Sequence, residues 1–324
     1  MKRDATGTGV SKTHRQTLSD KSLPHLLTLP SLLIVFGVLI IPIMYSLFLS
    51  VHNLVLSSRT YEFVGLQHYA EMLKDPSFIN SIWQTLKFTV LSVAAEMVFG
   101  IAVALVLNQE FKGRGFVRGL MILPWALPGV VNAIMWQWIF NANYGVFNGL
   151  LLQLGLIEKY QVWLAKPDTA FFCVWLANVW KETPYVVLLT IAALANIPKD
   201  LYESSRVDGA NVWQQYTKIT LPYMLFVTGP ALLTSFVSNL NNFNVIYLLS
   251  MGNPLNTQLG TPGGASVGHT DLLITWLFKM TLGSTDSKYY MASVVGILIF
   301  AVCAILSLIV YNVIPSTKNE EDFN

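Results

Sequence analysis

The sequence has few charged residues and none of the common motifs that bind nucleotides or metals. Only 12% of its 324 residues are charged and the formal net charge is +2, which offers no basic surface for nucleic acid. It has no Gly-x4-Gly-Lys-Ser/Thr phosphate loop and no His-Glu-x-x-His pair. Its two cysteines, Cys173 and Cys303, both lie in apolar segments, where free thiols are expected. We therefore expect no cofactor or metal on this chain and no enzyme activity.

Hydrophobic residues make up 53% of the chain, and the mean hydropathy is +0.52. This composition predicts an all-α integral membrane protein. The first apolar run is too long for a signal peptide and lacks a cleavage signature, so it is interpreted as a retained span. Six spans are predicted, at 26–51, 87–108, 115–141, 169–195, 221–250 and 289–314. We predict a polar tail (1–25), a transmembrane domain (26–314) with a loop at 196–222, and a second tail (315–324).

The distribution of basic residues predicts the orientation. The two tails and the loops on their side carry 12 Lys and Arg, whereas the loops on the opposite side carry 6. By the positive-inside rule, both termini and the 196–222 loop are cytoplasmic.

Lys181 and Glu182 lie near the middle of the fourth predicted span. A charge at that depth is costly, so both are expected to face a cavity or a buried partner. A direct substrate role for Lys181 and a structural salt bridge, to Glu96 or to a partner subunit, are equally favoured. Pro184 and Tyr185 follow, which predicts a kink and an aromatic hydroxyl facing the same region. Pro124 and Pro128 similarly favour a bent third span.

The fifth predicted span is rich in hydroxyl and amide side chains. Ser235, Asn239 and Asn242 recur at spacings of four and three, which predicts one helical face. Such a stripe suits the hydroxyl groups of a sugar. The structural alternative is hydrogen bonding between helices.

The stretch ESSRVDGANVWQQYTKITLP, residues 203–222, predicts a helix, a turn at Gly209 and a second helix. It resembles the cytoplasmic "EAA" loop of bacterial ABC import permeases, with serines in place of the two alanines. In that family the loop docks into the ATP-hydrolysing subunit. The resemblance implies coupling roles for Glu203, Ser204, Asp208 and Gly209. An amphipathic connector at the membrane surface is the alternative.

Two further stretches narrow the resemblance. SNLNNFNVIYLLSMGNP and GHTDLLITWLF are similar to segments of the first permease of maltose-type oligosaccharide importers. This resemblance implies the type I importer permease fold, with sugar contacts on Ser235, Asn239, Asn242 and Tyr185. A cation at Lys181 would favour an acidic oligosaccharide such as a uronate oligomer, so malto-oligosaccharides and alginate-like sugars both remain open.

The implied protein is one permease subunit of an ATP-driven importer in the bacterial inner membrane. Its expected partners are a second homologous permease, two ATPase subunits that hold ATP and Mg, and an extracytoplasmic solute-binding protein docked on the segments 142–168 and 251–288. Within the latter, residues 271–282 are expected to form an amphipathic helix at the outer interface. Two alternatives remain. One is a proton-coupled carrier using Glu96, Lys181 and Glu182, and the other is a membrane-bound glycan enzyme using Glu182.

Overall fold

The computed structural model describes residues 18–55, 60–260, 265–282 and 289–313. The chain divides after Phe48 into two compact units. The predicted C-terminal tail and residues 1–17 of the predicted N-terminal tail lie outside the described residues. Helix α1 already begins at Leu18, inside the predicted tail.

The first unit is an apolar helical run. Helix α1 (Leu18–Val35) continues through a π-helical turn (Phe36–Ile40) into α2 (Ile41–Ser50), whose last two residues belong to the second unit. Leu27–Ser50 is long and apolar enough to cross a membrane, as the retained first span requires.

The second unit opens with a feature that the sequence analysis does not predict. Strands β1 (His52–Val55) and β2 (Thr60–Phe63) pair antiparallel, with His52 opposite Phe63. The short helix α3 (Gln67–Lys74) follows, and Asp75 caps the next helix by accepting the backbone N–H groups of Ser77 and Phe78.

The rest of the described second unit contains eleven further α-helices and a π-helical turn. The α-helices are α4 (Pro76–Asn108), α5 (Arg114–Ala126), α6 (Gly129–Ile139), α7 (Val146–Gln153), α8 (Pro167–Ala195), α9 (Lys199–Val207), α10 (Val212–Gln215), α11 (Leu221–Leu240), α12 (Asn244–Ser250), α13 (Leu273–Leu282) and α14 (Tyr289–Val313). The π-helical turn (Tyr216–Thr220) lies between α10 and α11. Helices α4, α8 and α11 pack on one another at the centre. Around them α5 packs on α8, α12 on α6, and α13 on α14.

The central contact is between α4 and α8. The buried face of α4 is made largely of small residues and hydroxyl side chains, which let two helices approach closely in a membrane. Gly100 allows a close approach, because a Cβ there would lie 2.6 Å from Cγ1 and 2.7 Å from Cβ of Val186 on α8. A larger residue at position 100 would force Val186 to shift.

The described residues contain four helices that could each cross a membrane, or up to six spans if each bent pair is counted as one. The third predicted span is one such pair, since α5 and α6 meet at 97° around Pro128. Pro124 lies inside α5, and α8 continues as a helix through Pro184. Proline therefore breaks the third span but leaves the fourth continuous.

The segment before α13 is organised around a buried carboxylate. Asp271 accepts hydrogen bonds from the Gly268 N–H (2.7 Å) and the Thr275 hydroxyl (2.9 Å), and its Oδ2 lies 2.6 Å from Lys279 Nζ. A Cβ at Gly252 would overlap this carboxylate. Burial raises the pKa of Asp271 above its ordinary value, while the Lys279 charge opposes the shift.

Helix α13 begins at Leu273, two residues later than predicted. Trp276 and Met280 are buried in a core cluster with residues of α14, whereas Leu282 is 71% exposed. Its position at an outer interface stays a prediction.

Candidate functional site

The centre of the second unit contains a buried carboxylate surrounded by hydrogen-bond donors. Glu96 lies on α4 and is fully buried. Its Oε2 accepts from the Ser235 hydroxyl at 2.7 Å, and its two oxygens lie 3.2 and 3.3 Å from Nδ2 of Asn239. Nδ2 of Asn178 on α8 donates to Oε1 at 3.4 Å. Glu96 thus joins α4, α8 and α11.

Three asparagines form a chain of hydrogen bonds that leads to this carboxylate. Asn242 Nδ2 donates to Asn178 Oδ1 at 2.6 Å, and Asn178 Nδ2 donates to Asn239 Oδ1 at 2.8 Å. Because α11 ends at Leu240, Asn242 lies in the break before α12, and the prediction that it continues the Ser235–Asn239 helical face is wrong. Because the helix is interrupted here, the side chain of Asn242 can reach that of Asn178.

Lys181 pairs with its neighbour. Its Nζ lies 2.6 Å from Oε1 of Glu182, and the two side chains are 18% and 25% exposed. The structural alternative of a salt bridge from Lys181 to Glu96 is therefore wrong for the described conformation. Adjacent helical residues usually point apart, but these two long side chains reach each other.

Tyr185 and Ser235 line one recess. The recess lies between α4, α8 and α11, Thr228 also lines it, and its exposed surface is apolar. The Tyr185 ring stacks on Trp125 of α5, with ring centroids 6.1 Å apart. The hydroxyl of Ser235 is used in its hydrogen bond to Glu96 rather than exposed to the recess.

The sequence analysis missed Asn178, which is fully buried and connects the other amides. One signal could have found it. Asn178 precedes Tyr185 by seven residues, two turns of helix, and so shares its face of α8. Together these side chains form a polar cluster with hydroxyl, amide and carboxylate groups beside an aromatic recess. In the described conformation these hydrogen bonds join α4, α8 and α11, as the structural alternative of hydrogen bonding between helices expects.

The 196–222 loop forms the predicted helix, turn and helix. Helix α9 ends at Val207, and Gly209 adopts the left-handed conformation with φ +78°. Asn211 then begins α10 with a capping box, since its side chain accepts the N–H of Gln214 while the Gln214 side chain accepts the N–H of Asn211. Two local features therefore stabilise the turn, the left-handed Gly209 and the capping box at Asn211.

The predicted coupling residues Glu203, Ser204, Asp208 and Gly209 are all exposed. Large apolar side chains near the turn are also exposed. The exposed fractions are 88% for Val207, 83% for Val212 and 71% for Trp213. A polar loop that presents this apolar surface is suited to a protein partner.

Two observations concern enzyme chemistry. Among the described residues, no group of three or more His, Cys, Asp and Glu side chains could hold a metal ion. Residues 264–268 spell Gly-x-Ser-x-Gly, a pattern found in hydrolases, but Ser266 lies in the irregular segment before α13. Among the described residues no helix follows Ser266 directly, since α13 begins only at Leu273, whereas that nucleophile requires a sharp turn into a helix.

Comparison with known proteins identifies relatives over most of the chain. The model of the family described as "Binding-protein-dependent transport system inner membrane component" matches residues 96–319. The trehalose/maltose transport system permease protein MalF of Thermococcus litoralis is 37% identical over 235 residues, which cover 72% of this chain and 79% of the relative. The maltodextrin transport system permease protein MdxF of Bacillus subtilis is 30% identical over 334 residues, covering 98% and 75%.

A solved structure shares the fold. A chain of a bacterial ABC transporter that imports the acidic polysaccharide alginate superposes with a TM-score of 0.77, covering 93% of this chain and 98% of its own. The sequence identity is 24%, so this likeness concerns the fold alone.

Proposed function

This chain belongs to the family of binding-protein-dependent transport system inner membrane components, and we propose that it forms half of the pathway of an oligosaccharide importer. It is a multi-pass permease with the type I importer fold, and the named relatives are transport permeases rather than enzymes. Because the chain belongs to this family, the importer is favoured over the two alternative hypotheses, a self-sufficient carrier and a glycan enzyme.

The substrate class is proposed from the central polar cluster. Ser235, Asn239 and Asn242, with Asn178 between them, bring a hydroxyl and three amides to one place beside the Tyr185 recess. Sugars need planar hydrogen-bonding partners and aromatic faces, and both are present here. The relatives are named for trehalose, maltose and maltodextrin, which supports a sugar of this general kind.

The partners are proposed from the loop around Gly209. Its exposed Val207, Val212 and Trp213 form an apolar surface of the kind that fits a groove on an ATPase subunit. We place this loop and both termini on the cytoplasmic side of the inner membrane, following the distribution of basic residues. A second permease, two ATPase subunits that bind ATP and Mg, and an extracytoplasmic binding protein complete the transporter.

The main observation behind the proposal is that one chain contains both this exposed loop and the buried polar cluster. The test is sugar-stimulated ATP hydrolysis by the complete complex in proteoliposomes, with its binding protein and malto-oligosaccharides. Gly209→Pro should abolish the stimulation, because proline cannot adopt φ +78° and cannot donate the hydrogen bond from Gly209 N to Arg206 O.

The matched control is Gly65→Pro, which makes the same change at another left-handed glycine (φ +58°), in the turn before α3. It should retain the stimulation. Loss in both variants would indicate general damage to the fold. Sugar uptake by this chain without any ATPase would overturn the proposal.

A further inference from the structure

The connection between α4 and α5 and the start of α5 carry a dense group of basic side chains. Lys112, Arg114 and Arg118 lie within seven residues, and Glu110 is the one acidic residue in the stretch 109–118. Three cations and one anion give this stretch a net charge of +2. A local excess of positive charge of this kind attracts an anionic partner.

Both arginines are held over the end of α4. Nη2 of Arg118 donates to the carbonyl oxygen of Leu107 at 3.1 Å, and Nη2 of Arg114 lies 3.5 Å from Oδ1 of Asn108. Because Arg114 and Arg118 are four residues apart on α5, their side chains share one face of that helix. Two guanidinium groups are thus brought to the same place, the junction of α4 and α5.

These guanidinium groups have no counter-ion within the part of the chain that the structure describes. Both side chains are half-buried, neither forms an ion pair there, and the Nε atom of each is buried without a hydrogen-bond partner there. Taking a charge out of water without a partner is costly, so this junction favours an anion. A phosphate group suits it, since phosphate oxygens accept the paired N–H groups of an arginine.

The depth of the junction indicates which phosphate is at hand. The helices on both sides expose large apolar side chains, with Val106 of α4 65% exposed and Phe116 of α5 73% exposed. In a multi-pass permease, apolar helix surfaces of this kind mark membrane depth. The polar connection between the two helices therefore lies where the hydrocarbon ends and the phosphates of the lipid headgroups begin.

The junction is at the same end of the protein as the 196–222 loop. Leu107 packs with Ile191 near the end of α8, and Leu105 packs in one cluster with Ile197 just beyond that helix. In the proposed importer this end faces the cytoplasm. Anionic lipids of the cytoplasmic leaflet attract basic segments that lie next to a membrane span.

We propose that Arg114 and Arg118 form a binding site for the phosphate of an anionic phospholipid at the junction of α4 and α5. The exposed Lys112 adds to the positive charge around the site. A zwitterionic lipid has the same phosphate, but its own cation cancels the charge, so the site should prefer a lipid with a net negative charge. The inference goes beyond the proposed function and does not depend on which substrate is transported.

The test measures lipid binding to the complete detergent-purified complex by native mass spectrometry. The probes are phosphatidylglycerol and phosphatidylcholine with the same acyl chains, and the wild type should bind phosphatidylglycerol more tightly. Arg114→Gln and Arg118→Gln should each weaken phosphatidylglycerol binding by about fivefold, the effect of one basic residue near an anionic headgroup. Binding of phosphatidylcholine should change by less than about twofold.

Three controls define the site. Arg118→Lys keeps the charge but loses the paired N–H groups, so its phosphatidylglycerol binding should lie between that of Arg118→Gln and that of the wild type. Lys74→Gln removes an exposed charge just before the opposite end of α4 and should behave as wild type. Inorganic phosphate at the same concentration as the lipid should not displace it, because free phosphate lacks the acyl chains.

Several results would overturn the inference. They are equal binding of the two lipids by the wild type, full preference for phosphatidylglycerol in the double Arg114→Gln, Arg118→Gln variant, and displacement of the lipid by inorganic phosphate. Loss of the ATPase subunits with an unchanged lipid preference would also overturn it, since the arginines would then bind that partner. If Arg118→Gln does not assemble, Arg114→Gln and Arg118→Lys decide, because both keep a cation near the Leu107 carbonyl.

Discussion

The ion pair between Asp271 and Lys279 allows a quantitative prediction. Asp271 is fully buried and the Lys279 side chain is 16% exposed, with 2.6 Å between Nζ and Oδ2. Removing one member of a buried pair leaves the other charge uncompensated, which typically costs about 3–5 kcal/mol. Asp271→Ala also leaves the Gly268 N–H without its bond, so we expect it to fall at the upper end of that range.

The double variant tests whether the pair itself is responsible. In Asp271→Ala with Lys279→Met neither charge is left alone, so the combined loss should be smaller than the sum of the single losses by at least about 2 kcal/mol. Thermal unfolding of the purified protein measures these free energies, and the fluorescence of Trp276, which is buried on the same helix, reports the transition. Additive losses, or single losses below about 1 kcal/mol, would refute this account.

The pKa of Asp271 predicts how the stability changes with pH. Burial raises this pKa above its ordinary value of 3.8, so the folded protein holds the proton more tightly than the unfolded chain. The associated stabilisation is complete below the ordinary pKa and is lost as the pH rises through the raised folded value. Lys279→Met removes the opposing charge and so raises the folded pKa further, which means that its stability should keep falling to a higher pH than that of wild type.

Three other substitutions test packing, the polar cluster and the loop. Gly100→Val forces methyl groups into Val186 and should lower the free energy of unfolding by at least about 1–3 kcal/mol. The control Gly296→Val should not, because a Cβ there meets nothing within 4 Å. Equal losses in the two variants would argue against the close contact between α4 and α8. Asn178→Leu leaves the buried Oδ1 of Asn239 and the half-buried Nδ2 of Asn242 without their partner and should cost about 1–3 kcal/mol in the same assay, and a loss under about 0.5 kcal/mol would contradict the hydrogen-bond chain. Asn211→Ala removes the capping box, worth about 0.5–2 kcal/mol to the helix, and should lower sugar uptake per ATP hydrolysed; an unchanged ratio would argue against coupling through this loop.

The parts of the fold that depend on local sequence patterns could be predicted from the sequence. Long apolar runs predicted the helical membrane fold, and Gly209 with its neighbours predicted the helix, turn and helix of the 196–222 loop. These features depend on residues close together in the chain. The resemblance to import permeases, carried by the same loop, is confirmed by the family match.

The polar cluster could be predicted only in part. Hydropathy and spacing indicated that Ser235 and Asn239 share a helical face, but not that this face meets Glu96, which lies 139 and 143 residues earlier in the chain. Residue types alone did not show that α11 would end at Leu240 or that Asn178 would complete the chain of amides. Both depend on how α4, α8 and α11 pack.

The run from Val212 to Ser250 is one apolar stretch of 39 residues that begins at the exposed loop and contributes Ser235, Asn239 and Asn242 to the polar cluster. Trp213 and Asn239 are 26 residues apart, which at 1.5 Å per residue places them about 39 Å from each other along the helical path. In the proposed importer this run would transmit movement along its length. A rotation that an ATPase subunit imposes at Trp213 would also turn Ser235 and Asn239 relative to Glu96. In that importer, strain on the Glu96 hydrogen bonds would link ATP hydrolysis to sugar transport, so a substitution that breaks the helix between Trp213 and Asn239 is expected to lower the amount of sugar transported per ATP hydrolysed.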